Sequence, residues 1–183
     1  MTFLALDFET TGLDAGTGRV VEVGAIRFRL KGGDCLEEAC MAALVDPCMP
    51  MPARAISIHG IRDEDLEGAP TFGEVAPSLL ALAEGAAIVA HNARFDLSFL
   101  DAELARLGMS RPPSAAHDTV HLSRRAFPGR ASYRLGAIAS ALGIDSGLAH
   151  RALDDARTCM RLYAACARQL RRSAKERRCN TGS

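Results

Sequence analysis

The chain contains no tryptophan and two tyrosines among 183 residues, so few large rings are at hand to stack on a flat ligand. It carries no net charge, with 22 basic and 22 acidic side chains, and arginine far outnumbers lysine among the bases. No apolar run approaches the roughly 20 residues that a membrane helix needs. The N-terminus enters an apolar strand pattern directly, without a basic segment and a cleavable apolar stretch. Six cysteines, at positions 35, 40, 48, 159, 166 and 179, form no C-x-x-C pair and no His/Cys zinc spacing. Cys159 and Cys166 lie seven apart in a helical pattern and read as small core residues. These absences argue against a membrane span and a zinc framework, and they point to reduced thiols in a cytoplasmic protein. The length and the ordinary apolar fraction, 48%, fit one domain with a core that needs no staples.

The charge is unevenly spread. Residues 1–91 hold six bases and fourteen acids, whereas residues 92–183 hold sixteen bases and eight acids. The stretch from Arg168 to Arg178 is strongly basic. A tail of this kind attracts phosphate backbones at low salt, and it is equally what a solvated chain end looks like. A domain is expected over 1–172, followed by a basic, flexible tail over 173–183.

The organising stretch is Leu4-Ala5-Leu6-Asp7-Phe8-Glu9, which leads into Thr10-Thr11-Gly12-Leu13. Apolar residues running into a Gly-bounded turn predict a buried strand. Val20 to Leu30 predicts a second strand, Lys31-Gly32-Gly33-Asp34 a hairpin turn, and Cys35 to Val45 a third strand. Pro47, Pro50 and Pro52 then break regular structure, and Asp63 to Glu67 reads as an acidic loop. Phe72 to Ala83 predicts a helix and Ala86 to Ala90 a short buried strand ending at His91-Asn92. Leu97, Leu100, Leu104 and Leu107 form a helical stripe closed by Gly108. Further helices are predicted over Asp118–Phe127 and Ser132–Leu142, and a last one from just after His150 to about Arg172. Strands followed by alternating helices and strands predict an α/β layer with a mixed sheet.

The strand period of two puts Asp7 and Glu9 on one face and Phe8 on the other. Two carboxylates on a buried face are costly unless a cation neutralises them, and hard divalent ions favour such oxygen ligands. Alternatively they are unrelated acids at a solvated strand end. Asp96 falls at the start of the Leu97 helix, just past a strand's carboxyl end, where open α/β sheets bind ligands; there it also suits the helix dipole. His150 and Asp155 are five apart and would diverge by about 140° on one helix. They share a site only if His150 lies in the preceding loop; otherwise it is a surface histidine. Asp154 competes with Asp155 for the same role. Together Asp7, Glu9, Asp96 and Asp155 suit two divalent ions, which in phosphodiester chemistry sit about 3.5–4 Å apart. His150, the group titrating near neutrality, is the candidate general base.

Three segments, Asp7-Phe8-Glu9-Thr10-Thr11-Gly12, His91-Asn92-Ala93-Arg94-Phe95-Asp96 and His150-Arg151-Ala152-Leu153-Asp154-Asp155, resemble the exonuclease motifs of the DEDDh, DnaQ-like family in order and spacing. Ile58-His59-Gly60-Ile61, Asp118-Thr119 and Tyr133-Arg134-Leu135-Gly136 extend the resemblance over roughly residues 2 to 170. It implies a ribonuclease H-like fold with a five-stranded mixed sheet flanked by helices. It also implies 3′→5′ removal of nucleoside 5′-monophosphates with two Mg²⁺ or Mn²⁺ ions. Asp7, Glu9, Asp96 and Asp155 would be the metal ligands and His150 the base. Thr10, Thr11 and Gly12 would lie against the terminal nucleotide, Leu13 and Phe95 would wedge or stack on the last bases, and His59 and Asn92 would sit beside the substrate. The implied partners are nucleic-acid 3′ ends, DNA before RNA, and a DNA polymerase or another replication or repair protein. Proofreading subunits of this family carry a further polymerase-binding segment, whereas this chain ends soon after its last helix, so stand-alone and polymerase-bound action both stand as alternatives. RNA-trimming members share the same four acids and histidine, so an exoribonuclease stands as an alternative. A non-catalytic nucleic-acid-binding module is a further alternative, disfavoured because no acid is missing. A glycosidase is excluded by the adjacency of Asp7 and Glu9.

Overall fold

The computed structural model describes residues 1–180. Five strands, β1 (Thr2–Thr10), β2 (Val20–Lys31), β3 (Asp34–Leu44), β4 (Ala86–Ala90) and β5 (Ala116–Asp118), form a mixed sheet in the order β3-β2-β1-β4-β5. β1 and β2 pair antiparallel, as do β2 and β3, whereas β1–β4 and β4–β5 are parallel. The helices are α1 (Ala53–His59), α2 (Phe72–Ala83), α3 (Ala93–Arg106), α4 (Thr119–Ala126), α5 (Leu135–Ala141) and α6 (Ala152–Asn180), with a 3-10 turn over Asp63–Leu66.

Alternation along β1 decides the layout. Leu4, Leu6 and Phe8 pack with Phe72, Val75 and Leu79 of α2 and with Phe99, Leu100 and Leu104 of α3. Phe3 and Ala5 point the other way, into a second core with Ile26, Phe28, Ala156, Met160 and Tyr163. Asp7 and Glu9 continue this second row, so they emerge where the face covered by α6 runs out of apolar partners. The sheet thus has helices on both faces, the arrangement expected for its class.

The observed elements differ from the expected ones at particular places. Pro47, Pro50 and Pro52 do lie in an irregular segment, but an unexpected helix, α1, follows at once, with Pro52 at its N-cap, where its fixed φ suits entry into a helix. β5 is three residues long and too short to show a period; its pairing with β4 creates it. Asp118 belongs to that strand and caps α4, its side chain accepting from the Val120 amide at 2.8 Å. The α5 helix starts at Leu135, not Ser132. The acidic loop at Asp63 is a 3-10 turn whose Asp65 carboxylate accepts from the Arg62 amide at 2.8 Å. Most notably, α6 continues to Asn180, so 173–180 is helical instead of a flexible tail; residues 181–183 of that expected tail lie outside the described residues. No helix among the described residues is long and apolar enough to cross a membrane.

Candidate active site

The parallel strands β1 and β4 end together, and the loops beyond them collect the acids. Asp96, in the first turn of α3, is 2% exposed and accepts a hydrogen bond from the Phe8 amide at 3.1 Å, which ties it between the two carboxylates of β1. Asn92 starts α3 from a left-handed conformation with φ of 69°. Its amide donates to Asp118 at 3.2 Å. His91 is a structural residue: its ring bridges the Thr119 hydroxyl and the Tyr133 carbonyl, both at 2.9 Å.

The other side of the site is built by the start of α6. Gly24 is the cross-strand neighbour of Asp7. A Cβ at Gly24 would fall inside the Ala152–Leu153 peptide, so only glycine allows this helix to lie directly on the sheet. Glu22, opposite Glu9 and 4% exposed, clamps the helix end. One of its carboxylate oxygens accepts from Arg151 Nε at 3.1 Å and Nη2 at 2.8 Å, and the other from the Ala152 amide at 3.1 Å. His150 precedes the helix with φ of 61°, outside α6 as a shared site requires, and its amide donates to Asp155 at 3.0 Å. Asp154 turns away: its carboxylate accepts from the Leu148 amide at 3.1 Å and pairs with Arg157 at 3.5 Å. The competition between the two neighbours is therefore resolved geometrically in favour of Asp155. Ligand atoms of Glu9, His150 and Asp155 all lie within 4.8 Å of one another.

The electrostatics follow from crowding acids in a partly dry corner. Burial, then Asp96, Asp155, Glu9 and Glu22, holds the Asp7 carboxyl well above its ordinary range. Burial, Asp155 and Glu22 push Glu9 up to about 7, against the pull of Arg151. Asp96 is pushed up to about 8, chiefly by burial and against the bond from Phe8. Asp155 is also raised by burial, with the His150 amide and ring opposing. Such a centre favours either protons or cations.

Beside the acids opens a cavity of about 560 Å³ lined by Thr10, Thr11, Gly12, Leu13, His59 and Phe95, all six expected to contact substrate, while Asn92 lies outside it. The lining continues with Ile58, from the Ile58-His59-Gly60-Ile61 stretch, and with Met49 and Arg54, which carry no pattern that would mark them in the sequence. Leu13 is 73% exposed at the rim. Phe95 leans on Phe99 with ring centroids 5.0 Å apart. A Cβ on Gly12 would meet nothing within 4 Å, so no neighbour inside the protein demands glycine there. His59 is buried; its Nδ1 accepts from the Ile61 amide at 3.1 Å, and its Nε2 has no hydrogen-bond partner among the described residues. Burial lowers its pKa. The loop forming the cavity is fixed to α3, since buried Glu103 accepts from Arg19 Nε at 2.8 Å and from the Val20 amide at 3.1 Å.

A five-stranded mixed sheet in this order, flanked by helices and carrying an acidic centre at the carboxyl end of its parallel strands, defines a ribonuclease H-like fold. Residues 4–163 match the family model described as Exonuclease. The chain is 38% identical over 165 residues to the DNA polymerase III subunit epsilon of Treponema pallidum, covering 89% of this chain and 75% of that protein. It is 36% identical to the DNA polymerase III PolC-type of Thermotoga maritima, covering 88% of this chain and 12% of that much longer protein. Among solved structures, exonuclease X in complex with 5′-overhanging duplex DNA superposes with a TM-score of 0.67 at 26% identity, covering 90% of this chain and 88% of that one. Escherichia coli exonuclease I in complex with a dT13 oligonucleotide gives a TM-score of 0.80 at 18% identity, over 96% of this chain and 43% of that one. The chain belongs to the exonuclease family, in its DnaQ-like branch, and is a 3′→5′ exonuclease of that type.

Proposed function

We propose that this chain removes nucleoside 5′-monophosphates one at a time from DNA 3′ ends, in a cytoplasmic proofreading or repair role, with two Mg²⁺ or Mn²⁺ ions held by Asp7, Glu9, Asp96 and Asp155. The observation that supports this most is the convergence of Glu9, His150 and Asp155 within 4.8 Å, beside Asp7 and Asp96, in a chain matched to an exonuclease family over residues 4–163. The donor set fits the ions: the four carboxylates offer only oxygen, the preference of hard cations, and burial raises the pKa of each, so that a bound cation would favour their charged forms. Divalent ions held there would lower the pKa of a nearby water and neutralise charge at phosphorus.

The chain's own residues do the rest. His150 takes the proton of the attacking water, its backbone bonded to Asp155 so that its ring stays on the Glu9 side. The cavity beyond Thr10 receives the terminal nucleotide, with Gly12 allowing close backbone approach, Leu13 wedging at the rim and Phe95 stacking from below. His59 gives its Nε2 to a substrate oxygen, and Asn92, in the neighbouring depression, flanks the strand. Similarity to polymerase III proteins supports a DNA polymerase or a replication or repair protein as the partner class.

The test is a gel time course on 5′-labelled single-stranded DNA, matched RNA and a mismatched primer–template, each with Mg²⁺, Mn²⁺ or EDTA. The expected result is a ladder shortening one nucleotide at a time from the 3′ end, fastest on DNA and stopped by EDTA. Internal cuts, EDTA-resistant cleavage or no cleavage by folded protein would overturn the proposal, and faster loss of RNA would reassign the substrate.

A further inference from the structure

Residues 119–144 contain four arginines and no acidic residue. In the fold all four arginines are exposed. Arg124 of α4 lies over the Tyr133 ring, 5.4 Å from its centroid, and Arg130 lies over Phe127 at 6.0 Å. Cation–π seating of this kind holds a guanidinium in place without neutralising it. The connection itself is tied down: the Tyr133 hydroxyl donates to the Phe127 carbonyl at 2.8 Å and accepts from the Arg130 amide at 3.3 Å. Among the described residues neither Arg124, Arg130 nor Arg134 has a carboxylate partner, whereas in the basic half of α6 Arg168 pairs with Asp34 and Arg172 with Glu176.

This surface is joined to the acidic centre. A depression of about 390 Å³ runs between Arg124, Tyr133 and Arg134 on one side and Asn92 on the other. Asn92 opens the helix that carries Asp96, and the Tyr133 carbonyl is held by the His91 ring. We infer that Arg124, Arg130 and Arg134 form a phosphate-binding shelf that holds the phosphodiester backbone of the substrate strand upstream of its 3′ end. The inference rests on the nucleic-acid reading of the acidic centre and adds a second contact to it. Guanidinium groups match phosphate oxygens bidentately, so a shelf of seated arginines grips a backbone without reading its bases. The shelf also answers the neutral net charge: the molecule presents cations locally, beside a site whose own residues are acidic.

The experiment measures binding of a 5′-fluorescein 12-nucleotide DNA by anisotropy in EDTA over a salt series, together with hydrolysis of the p-nitrophenyl ester of thymidine 5′-monophosphate in Mn²⁺. The proteins are wild type, R124Q/R134Q and R124K/R134K. Losing two phosphate contacts lowers the salt slope by about 1.4 and weakens binding roughly 10- to 30-fold at about 0.1 M salt. R124K/R134K keeps the wild-type slope, and all three proteins hydrolyse the small ester equally, since it has no upstream backbone. Unchanged affinity and slope in R124Q/R134Q would overturn the shelf even if the enzyme is fully active. Loss of binding in R124Q/R134Q, from a wild type that cleaves neither substrate, would support the shelf and overturn the exonuclease reading instead.

Discussion

Gly24→Ala adds one methyl group at a point where the sheet and the start of α6 are in direct contact. Carbon atoms pack at about 3.5–4.0 Å, and the new Cβ would lie well inside that distance of the Ala152–Leu153 peptide, so the helix end must move by about 1–2 Å. Backbone has no rotamer with which to evade the clash. Overpacking of this kind costs about 1–3 kcal/mol, and for a domain of this size each kcal/mol lowers Tm by about 2–4 °C. The effect on chemistry is larger, because His150 and Asp155 ride on the displaced segment while Asp7 and Glu9 stay with β1. A misplacement of about 1 Å in a catalytic constellation costs on the order of 100-fold in rate. The assay is kcat on single-stranded DNA beside a thermal melt. Gly136→Ala is the control: it lies in α5 with open space around it, and it should leave kcat alone and stabilise the helix by up to about 1 kcal/mol. Wild-type kcat and Tm in Gly24→Ala would refute the claim that this close approach positions the site.

Glu22→Ala removes the hydrogen bonds to Arg151 and to the Ala152 amide. Because Arg151 is half exposed, the cost should stay near 1–3 kcal/mol in urea unfolding, with kcat falling more than stability alone explains. The crowded carboxylates set a pH dependence whose sign is determined. Asp7, Glu9, Asp96 and Asp155 have raised pKa values in the folded protein, so it binds more protons than the unfolded chain above the ordinary carboxylate range. Their contribution is therefore fully present at acid pH and is lost as pH rises toward about 7 to 8. The metal-free Tm should fall between pH 5 and pH 8, Asp7→Asn should flatten that fall, and Mg²⁺ should raise Tm more at pH 8 than at pH 6. An equal slope in Asp7→Asn would contradict the coupling. His150→Ala should keep metal affinity within a fewfold and lower kcat by roughly 100- to 10,000-fold, the usual worth of general base catalysis. An unchanged pH–rate profile in that variant would remove His150 from the proton transfer.

Much of this was legible in the sequence because the signals are local. Period-two alternation in Leu4 to Glu9 assigned Asp7 and Glu9 to one face, and the structure keeps them there, opposite Phe8. Phe72–Ala83 and Ala86–Ala90 stand at the expected residues because a capping box at Thr71 and Glu74 and an all-apolar strand mark their ends. What escaped depends on partners far along the chain. Glu22 reads as one more strand residue until Arg151, 129 positions later, lies against it. Gly24 looks like a weak point in β2 until α6 is laid across it. Met49 and Arg54 join the cavity only because the segment leading into α1 and α1 itself fold back over the turn after β1. The continuation of α6 past Arg172 is not legible because dense positive charge also suits a solvated end, although arginine is a good helix former and Glu176 pairs with Arg172 one turn on.

The central claim, a divalent-metal centre built from β1, α3 and α6, is tested most directly by calorimetric titration of Mn²⁺ into the metal-free protein with a nucleoside 5′-monophosphate present. The account predicts two ions per chain for wild type and a loss of at least one in Asp7→Ala, with the variant's melting transition still cooperative. No Mn²⁺ binding by folded wild type, or an isotherm unchanged in Asp7→Ala, would contradict it.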